Sequence, residues 1–360
     1  MYIFQLYTFF LWTQLIFSYC VSKNIINIPL YSNNMSLSET SISPLPTHNI
    51  KHLVISGGSY GGLIFYGVLK ELFKQGIINL SNIDTLYGTS VGTFLIVVLL
   101  LEYDWETLDD YLIKRPWHNV FTIDAEHIVK SLQTGGILDK KTIYSVFEPL
   151  FKGKDIPIDI TLQGFYEKNQ KDIHFFTTDL QDLETVDLSH KTHPDWKLID
   201  AVYASGSLPI IFEPYYVEET EKIYLDGAVL LNYPINRCLT DTNEYDNILG
   251  IYHNDPHKSL INKNPLKGNS FYKLIEYVLM IIVKLWFRIK YKRTEYENNI
   301  PHQIPVEFPM GLKQIMKACS STDERERLIR LGETYAHNYI DMWGLTQPPS
   351  ITPSTTDSKN

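Results

Sequence analysis

Cysteine is scarce in this sequence, and metal-ligand spacing is missing. Cys20, Cys238 and Cys319 are its only cysteines, and their wide separation excludes a disulfide framework. No CxxC or Cys/His cluster has the spacing of a zinc site. The HxxH pair of His190 and His193 lies in a segment without the helical pattern that would bring ligands to one face, so we interpret it as a polar loop.

Positive charge is too sparse for a protein that coats nucleic acid. The 360 residues include 32 Lys and Arg against 41 Asp and Glu, a formal net charge of −9. Nucleic-acid binding relies on dense Lys and Arg that neutralise phosphates, so we expect no nucleic-acid partner. Hydrophobic residues make up 44% of the chain, which is enough for a core in one large domain or two smaller ones.

An uninterrupted apolar run of membrane-spanning length is also missing. Residues 2–19 approach that length but contain Gln5 and Gln14, and they lack the basic start of a typical signal peptide. We predict that residues 1–21 are an apolar signal or anchor, with a surface-lying or core helix as the alternative. Residues 271–293 indicate an amphipathic helix that either contacts anionic lipid or packs with one solvated face. We therefore expect membrane association, through a secretory signal or an N-terminal anchor.

The rest of the chain divides into a polar linker, a folded domain and a polar tail. Residues 22–50 are rich in Ser, Asn, Thr and Pro and are typical of a linker, and residues 346–360 are typical of a disordered tail. In the predicted domain, 51–345, strand and helix signals alternate, which predicts an α/β fold with a mainly parallel sheet. Strands are predicted at 52–56, 83–88, 172–180, 222–227 and 247–252, and helices at 63–76, 93–103, 198–205, 271–293 and about 310–342.

A serine between two glycines lies at the end of the second predicted strand. Gly88, Ser90 and Gly92 form a GxSxG pattern between that strand and the next helix, which is the setting of a nucleophile elbow. The tight turn exposes the serine, the glycines allow close packing, and the helix N-terminus favours a developing oxyanion. We predict that Ser90 is a nucleophile; the alternative is a helix-capping serine.

A glycine-rich stretch, SGGSYGG at 56–62, directly follows the first predicted strand. Its backbone N–H groups can converge on an anion, so a phosphate loop, an oxyanion hole and a plain turn compete. Neither GxGxxG nor GxxxxGK[ST] fits the stretch. Because a candidate nucleophile follows on the next strand, an oxyanion hole explains more than a nucleotide site does.

A nucleophilic serine needs a base, and two residues are candidates. Asp226 ends the predicted strand KIYLD and begins a turn with Gly227, where an aspartate usually has a structural role. Its ordinary pKa of about 4 makes it a poor base in water, but contact with the serine in a dry cleft would change that. His253 follows a predicted strand and is the alternative base. The residues alone leave this choice open.

Together, these motifs resemble the patatin-like phospholipase family, lipid acyl hydrolases with a Ser-Asp dyad. The family's glycine-rich loop, SGGGxRG, is similar to the stretch at 56–62, and its nucleophile motif is similar to Gly88-Thr89-Ser90-Val91-Gly92. The block 201–234 resembles the segment that leads into the family's DG[GA] motif. Weaker similarities extend the resemblance over about 51–340, at 135–147, 176–189 and 323–336.

The resemblance implies a fold, a reaction and a set of site residues. The fold would be a three-layer α/β/α sandwich, and the reaction hydrolysis of fatty-acyl esters in phospholipids or other membrane lipids. Ser90 would attack and Asp226 would accept its proton, with no metal or cofactor required. Membrane phospholipid is the implied substrate, with contact to the membrane surface. The oxyanion donors would be Gly57, Gly58 and Ser59 of the glycine-rich loop, and the supporting motif residues would be Gly61, Gly62, Gly88, Gly92 and Gly227.

Two positions depart from the family pattern. Ser59 stands where the loop usually has its third glycine, and Gly61 stands where it usually has Arg or Lys. The second change removes a positive charge near the expected site. The alternative function is therefore a catalytically weak or inactive patatin-like lipid-binding protein.

Overall fold

The computed structural model describes residues 49–254 and 300–344, with helical backbone also at residues 273, 277, 280, 281 and 284. The predictions for 1–21 and 346–360, nearly all of the linker 22–50, and most of the helix 271–293 lie outside these residues. Among the described residues, no helix combines the length and the apolarity needed to cross a membrane.

Strands and helices alternate through most of the described chain. The strands are β1 (His52–Ile55), β2 (Thr85–Thr89), β3 (Gly136–Leu138), β4 (Asp172–Asp179), β5 (Glu184–Leu188), β6 (Ile210–Phe212), β7 (Tyr215–Val217), β8 (Lys222–Asp226), β9 (Ile248–His253) and β10 (His302–Val306). The helices are α1 (Gly62–Lys74), α2 (Val91–Leu100), α3 (Trp105–Lys114), α4 (Trp117–Val120), α5 (Ala125–Thr134), α6 (Lys140–Lys152), α7 (Leu162–Asn169), α8 (Leu198–Gly206), α9 (Ile235–Asp241), α10 (Leu312–Ser320) and α11 (Thr322–Met342).

The central sheet is mainly parallel and has the order β10-β9-β1-β2-β4-β8-β7. The strands from β10 to β4 in this order pair in parallel, whereas β8 and β5 both pair antiparallel with β4, and β7 pairs antiparallel with β8. A separate small sheet joins β3 to β6. The α/β class predicted from the alternating signals is confirmed.

Both faces of the central sheet are buried, because successive strand residues point to opposite sides. Leu53 and Ile55 belong to a large apolar cluster with residues of α1, α2, α6, α8 and α11. Val54, between them, packs in a second cluster with Tyr87 and Ile235, the first residue of α9. This division explains the continuous apolar run of β1, residues 53–55, and it gives the described residues a helix–sheet–helix layering.

The predicted helix at about 310–342 is in fact two helices. Ser321 separates α10 from α11, and its hydroxyl caps α11 by accepting the Glu324 N–H at 3.2 Å. Arg325, in the first turn of α11, donates to the Ala318 carbonyl at 2.8 Å and to the Ile113 carbonyl at 2.9 Å. These bonds satisfy carbonyls at the ends of α10 and α3, so the break is fixed by tertiary contacts.

Candidate active site

The long strand β4 brings the ends of β2 and β8 together. Phe176 of β4 is opposite Thr89, the last residue of β2, and the next residue, Thr177, is opposite Asp226, the last residue of β8. Since β5 occupies the other side of β4 at both positions, β2 and β8 lie on the same side, and their carboxyl ends face each other. Asp226 ends an antiparallel strand of this mainly parallel sheet, and that strand direction places it beside Ser90.

Ser90 and Asp226 form a direct hydrogen bond across 136 sequence positions. The Ser90 Oγ–H donates to Asp226 Oδ2 at 2.7 Å, and Asp226 Oδ1 accepts the Ala228 N–H at 2.8 Å. Ser90 occupies the N-cap position of α2, but its side chain does not cap the helix. Asp226 therefore stabilises its own turn with one oxygen and contacts the serine with the other.

The environment of Asp226 raises the proton affinity of its carboxylate. The residue is only 2% exposed, and burial raises the pKa of the carboxyl group to about 6, against the opposing effect of the hydrogen bonds from Ala228 and Ser90. A base with a pKa near the working pH combines an ionised form with useful proton affinity. The objection that an aspartate is too weak a base thus applies in water and not at this position.

The backbone at Ser90 has the sharp turn of a nucleophile elbow. Ser90 has φ 53° and ψ −123°, a conformation that costs a non-glycine residue of the order of 1–3 kcal/mol. Gly92 lets the start of α2 pack closely against the end of β1, because a Cβ there would lie 2.4 Å from the Ile55 carbonyl oxygen. Helix α2 begins at Val91, so its N-terminus lies directly beside the serine.

The glycine-rich loop borders the cavity and contains two backbone N–H groups that are candidate donors. The Gly57 N–H donates to the Asn232 carbonyl at 2.9 Å, so it is not available as an oxyanion donor in this structure. Among the described residues, the N–H groups of Gly58 and Ser59 have no hydrogen-bond partner. Ser59 has φ 51° and borders the cavity that contains Ser90. The candidate donors are therefore Gly58 and Ser59.

An aromatic ring explains the glycine at position 61. A Cβ on Gly61 would lie 2.0 Å from Cζ of Phe308, which follows β10. That ring also packs edge-on against Tyr60, with 5.5 Å between centroids. A basic side chain at position 61 would require the ring to move, and the sequence offered no signal for this contact because Phe308 is remote along the chain.

The alternative base, His253, lies beside Ser56, the first residue of the glycine-rich loop. Its ring stacks on Phe308 with 4.1 Å between centroids, and its Nε2 is 3.0 Å from the Phe308 carbonyl oxygen. Its main-chain N–H donates to Ser56 Oγ at 3.0 Å. Ser90 donates to Asp226 instead, so the structure favours a dyad over a triad with His253.

The dyad opens into a largely apolar cavity of about 280 Å³. Both Ser90 and Asp226 line it, so neither side chain is sealed from the space where a ligand would bind. The other walls are mainly aliphatic and aromatic, including Phe94, Phe147, Val202, Leu208, Ile211 and Met316. Such a wall suits a hydrocarbon chain better than a polar ligand.

The HxxH pair and the motif glycines are the remaining features that the sequence pointed out. Within the described residues, no group of three or more His, Cys, Asp and Glu side chains is arranged to hold a metal. His190 lies 3.3 Å from Asp172, and His193 contacts Thr192.

The motif glycines are all closely enclosed, and a Cβ would lie within 3 Å of another atom at Gly62, Gly88, Gly92 and Gly227.

Comparison with known proteins gives partial sequence relatives. An uncharacterized protein from Acanthamoeba polyphaga mimivirus is 27% identical over 234 residues, which cover 63% of this chain and 73% of that protein. A second uncharacterized protein from the same virus is 22% identical over 266 residues, covering 59% of this chain and 69% of that protein.

Solved structures with partial similarity include bacterial and human proteins. VipD from Legionella pneumophila gives a TM-score of 0.48 at 15% identity, over 82% of this chain and 67% of that chain. Human GIVD cytosolic phospholipase A2 gives a TM-score of 0.40 at 11% identity, over 83% of this chain and 62% of that chain.

A family-level comparison covers all three motifs. The family described as patatin-like phospholipase matches residues 53–239, slightly more than half of the 360 residues. This range contains the glycine-rich loop, the Ser90 turn and Asp226. The chain belongs to the patatin-like phospholipase family.

Proposed function

We propose that this protein hydrolyses fatty-acyl ester bonds in phospholipids or other membrane lipids through Ser90 and Asp226. Membership of the family indicates a lipid hydrolase. The observation that supports this mechanism is the 2.7 Å hydrogen bond from Ser90 to a buried Asp226 at the wall of an apolar cavity. A hydroxyl beside a base, in a dry cleft, is the arrangement that nucleophilic catalysis requires.

The first half-reaction forms an acyl-enzyme. Asp226 Oδ2 accepts the Ser90 hydroxyl proton while Oγ attacks the ester carbonyl carbon. The N–H groups of Gly58 and Ser59, with the N-terminus of α2, stabilise the negative charge on the carbonyl oxygen. Asp226 then returns the proton to the leaving alcohol as the carbon–oxygen bond breaks.

The second half-reaction releases the fatty acid. Asp226, again ionised, accepts a proton from a water molecule that attacks the acyl carbon bound to Ser90. The tetrahedral intermediate uses the same backbone donors, and its collapse returns the proton from Asp226 to Ser90 Oγ. The apolar cavity binds the acyl chain during both steps, with about 0.8 kcal/mol of favourable transfer free energy for each buried CH₂.

Contact with the membrane surface is part of the same proposal. Helix α5 exposes Val129 and Leu132, which are 67% and 82% accessible and lie on one helix face at i, i+3. Ile123, which precedes this helix in the chain, and Leu138, in the strand β3 that follows it, both line the cavity. This placement supports transfer of a lipid from a membrane surface into the site.

We expect Leu132→Asp to reduce hydrolysis of vesicle lipid while hydrolysis of a soluble short-chain ester is retained.

The decisive experiment measures fatty-acid release from phospholipid vesicles. We expect Ser90→Ala and Asp226→Ala each to lower the rate at least about a thousand-fold with the fold intact. Ser189→Ala is the matched control, because Ser189 is a buried serine at the end of β5 whose hydroxyl contacts Thr192. Wild-type activity in Asp226→Ala, together with loss of activity in His253→Ala, would replace the dyad with a histidine-based mechanism.

The packing of Phe308 over Gly61 favours one alternative function. Because this ring replaces the family's basic side chain near the site, the protein could bind lipid with little or no turnover. A serine-reactive fluorophosphonate probe separates the two functions. Labelling that depends on Ser90 supports hydrolysis, and failure of the folded wild-type protein to react supports the lipid-binding alternative.

A further inference from the structure

The last turn of α8 and the residue that follows it, Ser207, contact the backbones of both members of the dyad. We infer that Ser205 in this turn is a positioning residue that holds the nucleophile in its reactive geometry. The inference rests on the proposed hydrolytic function and goes beyond it, because Ser205 belongs to none of the three motifs. It acts through Ser90.

The Ser205 hydroxyl joins the Ser90 turn to strand β4. Ser205 is 0% exposed, and its Oγ accepts the Ser90 N–H at 2.9 Å and donates to the Phe176 carbonyl at 2.6 Å. The single hydroxyl proton is directed at Phe176, so a lone pair of Oγ is directed at Ser90. The Ser205 hydroxyl thus fixes the distance between the Ser90 turn and β4, the strand that pairs with β8.

The same stretch of chain also holds Asp226. The Ser207 carbonyl, two residues after Ser205, accepts the Asp226 N–H at 2.9 Å. Thr177 Oγ1 lies 3.0 Å from the Ala204 carbonyl and 2.7 Å from the Leu225 carbonyl. The end of α8 therefore contacts Ser90 through a side chain and Asp226 through the main chain, and it fixes the two backbones relative to each other.

The Ser90 turn needs such an external contact. Its positive φ is unfavourable for serine, so the turn stays strained only where its surroundings determine it. An N-cap residue also has no intrahelical partner for its N–H, and here Ser205 satisfies that donor. The bond keeps the Ser90 N–H directed at α8, while Oγ is directed at Asp226. Loss of the Ser205 hydroxyl would allow the turn to relax and the nucleophile to move away from the base.

A purely structural role for Ser205 would also give a destabilised variant, so the test must separate the two roles. We expect Ser205→Ala to lower kcat by about 10- to 100-fold, with KM within about threefold of wild type, because a displacement of about 1 Å costs on this scale. The rate at which the fluorophosphonate probe labels Ser90 should fall by a similar factor. Both rates are expressed per folded molecule, measured by circular dichroism at a temperature well below the melting transition.

Two further variants keep the test decisive if Ser205→Ala does not fold. Ser205→Thr retains the hydroxyl, so its kcat is expected to be close to that of wild type. Ser205→Cys is closer in size to serine than threonine is, but its sulfur is a weak acceptor, so its kcat should remain low. Ser189→Ala is the control for losing a buried serine hydroxyl, and its kcat should equal that of wild type. A folded Ser205→Ala or Ser205→Cys protein with kcat within twofold of wild type overturns the inference.

Failure of this inference differs from failure of the proposed function. If Ser90→Ala retains activity or probe labelling, the dyad mechanism is wrong. If Ser90→Ala is inactive and Ser205→Ala is fully active, the dyad stands and only the positioning role is wrong. Lower activity through KM alone would also contradict the positioning role, because it would indicate a change in the cavity rather than in the nucleophile.

Discussion

Two positions along β4 bring buried or partly buried carboxylates into contrasting surroundings. At the amino end, Asp172 forms ion pairs with Lys191 and with Nε2 of His174, the latter at 3.4 Å, and Asp187 Oδ2 lies 2.7 Å from Nδ1 of the same ring. Opposite Thr177 of β4, Asp226 of β8 contacts the hydroxyl of Ser90 and a backbone N–H, with no ion pair among the described residues.

This difference in partners drives the pKa values in opposite directions. Burial would raise the pKa of Asp172, but hydrogen bonds from His174 and Lys191 outweigh it and lower that pKa to about 2. Burial would lower the pKa of His174, but Asp172 and Asp187 raise it to about 9. At Asp226, burial prevails and the pKa rises to about 6. A cation partner holds a carboxylate in one charge state, and without such a partner the buried carboxylate can exchange a proton near neutral pH.

The largest effect that tests this comparison is on activity. We expect Asp226→Asn to lower fatty-acid release at least about a thousand-fold, because the amide cannot accept the Ser90 proton. The Asn oxygen can accept the Ala228 N–H while its NH₂ group donates to Ser90 Oγ, so the fold should persist. Asp172→Asn should retain the rate per folded molecule. Equal losses in the two variants would contradict the contrast.

Asp226→Asn should also be more stable than wild type at neutral pH. The folded pKa of about 6 lies above the unfolded value of about 4, so the cost of the buried charge is absent below pH 4, grows from pH 4 to 6, and is complete above pH 6. This corresponds to a gain of up to about 3 kcal/mol in the free energy of unfolding at pH 8 and none at pH 4. Urea unfolding at the two pH values measures it, and a loss of stability at pH 8 would contradict it.

Asp172→Asn should lower the free energy of unfolding, in contrast to Asp226→Asn. Removing one carboxylate from His174 is expected to lower the free energy of unfolding by about 2–4 kcal/mol near pH 6. The folded pKa of His174 is raised, so the stabilisation from its charged form is complete below about pH 6.5 and disappears as pH rises through about 9. The variant should therefore differ less from wild type at pH 9.5. A deficit of the same size at both pH values would exclude the charge of His174 as its origin.

The pH dependence of catalysis should follow Asp226 and not Asp172. We expect kcat/KM for a soluble ester to fall about tenfold for each pH unit below about 6, as Asp226 becomes protonated. Asp172→Asn, assayed where it remains folded, should have the same profile. A midpoint near 4, as for an exposed aspartate, would show that burial does not set the basicity of Asp226.

The smallest effect concerns the hydrogen bond within the dyad. Ser90 donates to the ionised form of Asp226 and so lowers its pKa against the effect of burial. Ser90→Ala should raise that pKa above about 6, by a fraction of a unit to about one unit. Carbon-13 NMR of the labelled carboxyl group measures the shift. An unchanged pKa would indicate that the bond is absent in solution.

Much of the sheet could be predicted because its signals are local. The predicted strands at 52–56, 83–88 and 172–180 correspond to β1, β2 and β4 within two residues at each end. Their apolar runs between glycines or polar residues follow from burial on both faces. The direction of β8 could not be predicted, because nothing within Lys222–Asp226 states whether its partner runs parallel or antiparallel. The break at Ser321 was missed for a similar reason, since it depends on distant carbonyls that Arg325 satisfies.

By itself, the sequence determined the alternation of strands and helices and the positions of the turns at Ser90 and Asp226. These features depend on neighbouring residues, whose glycines, apolar runs and short polar side chains limit the backbone locally. Tertiary structure alone decided that β8 ends against β2, that Gly57 is bonded to Asn232, that Phe308 fills the space beside Gly61 and that Ser205 holds the Ser90 turn. Each of these contacts joins residues far apart along the chain, and their formation depends on the packing of the whole domain.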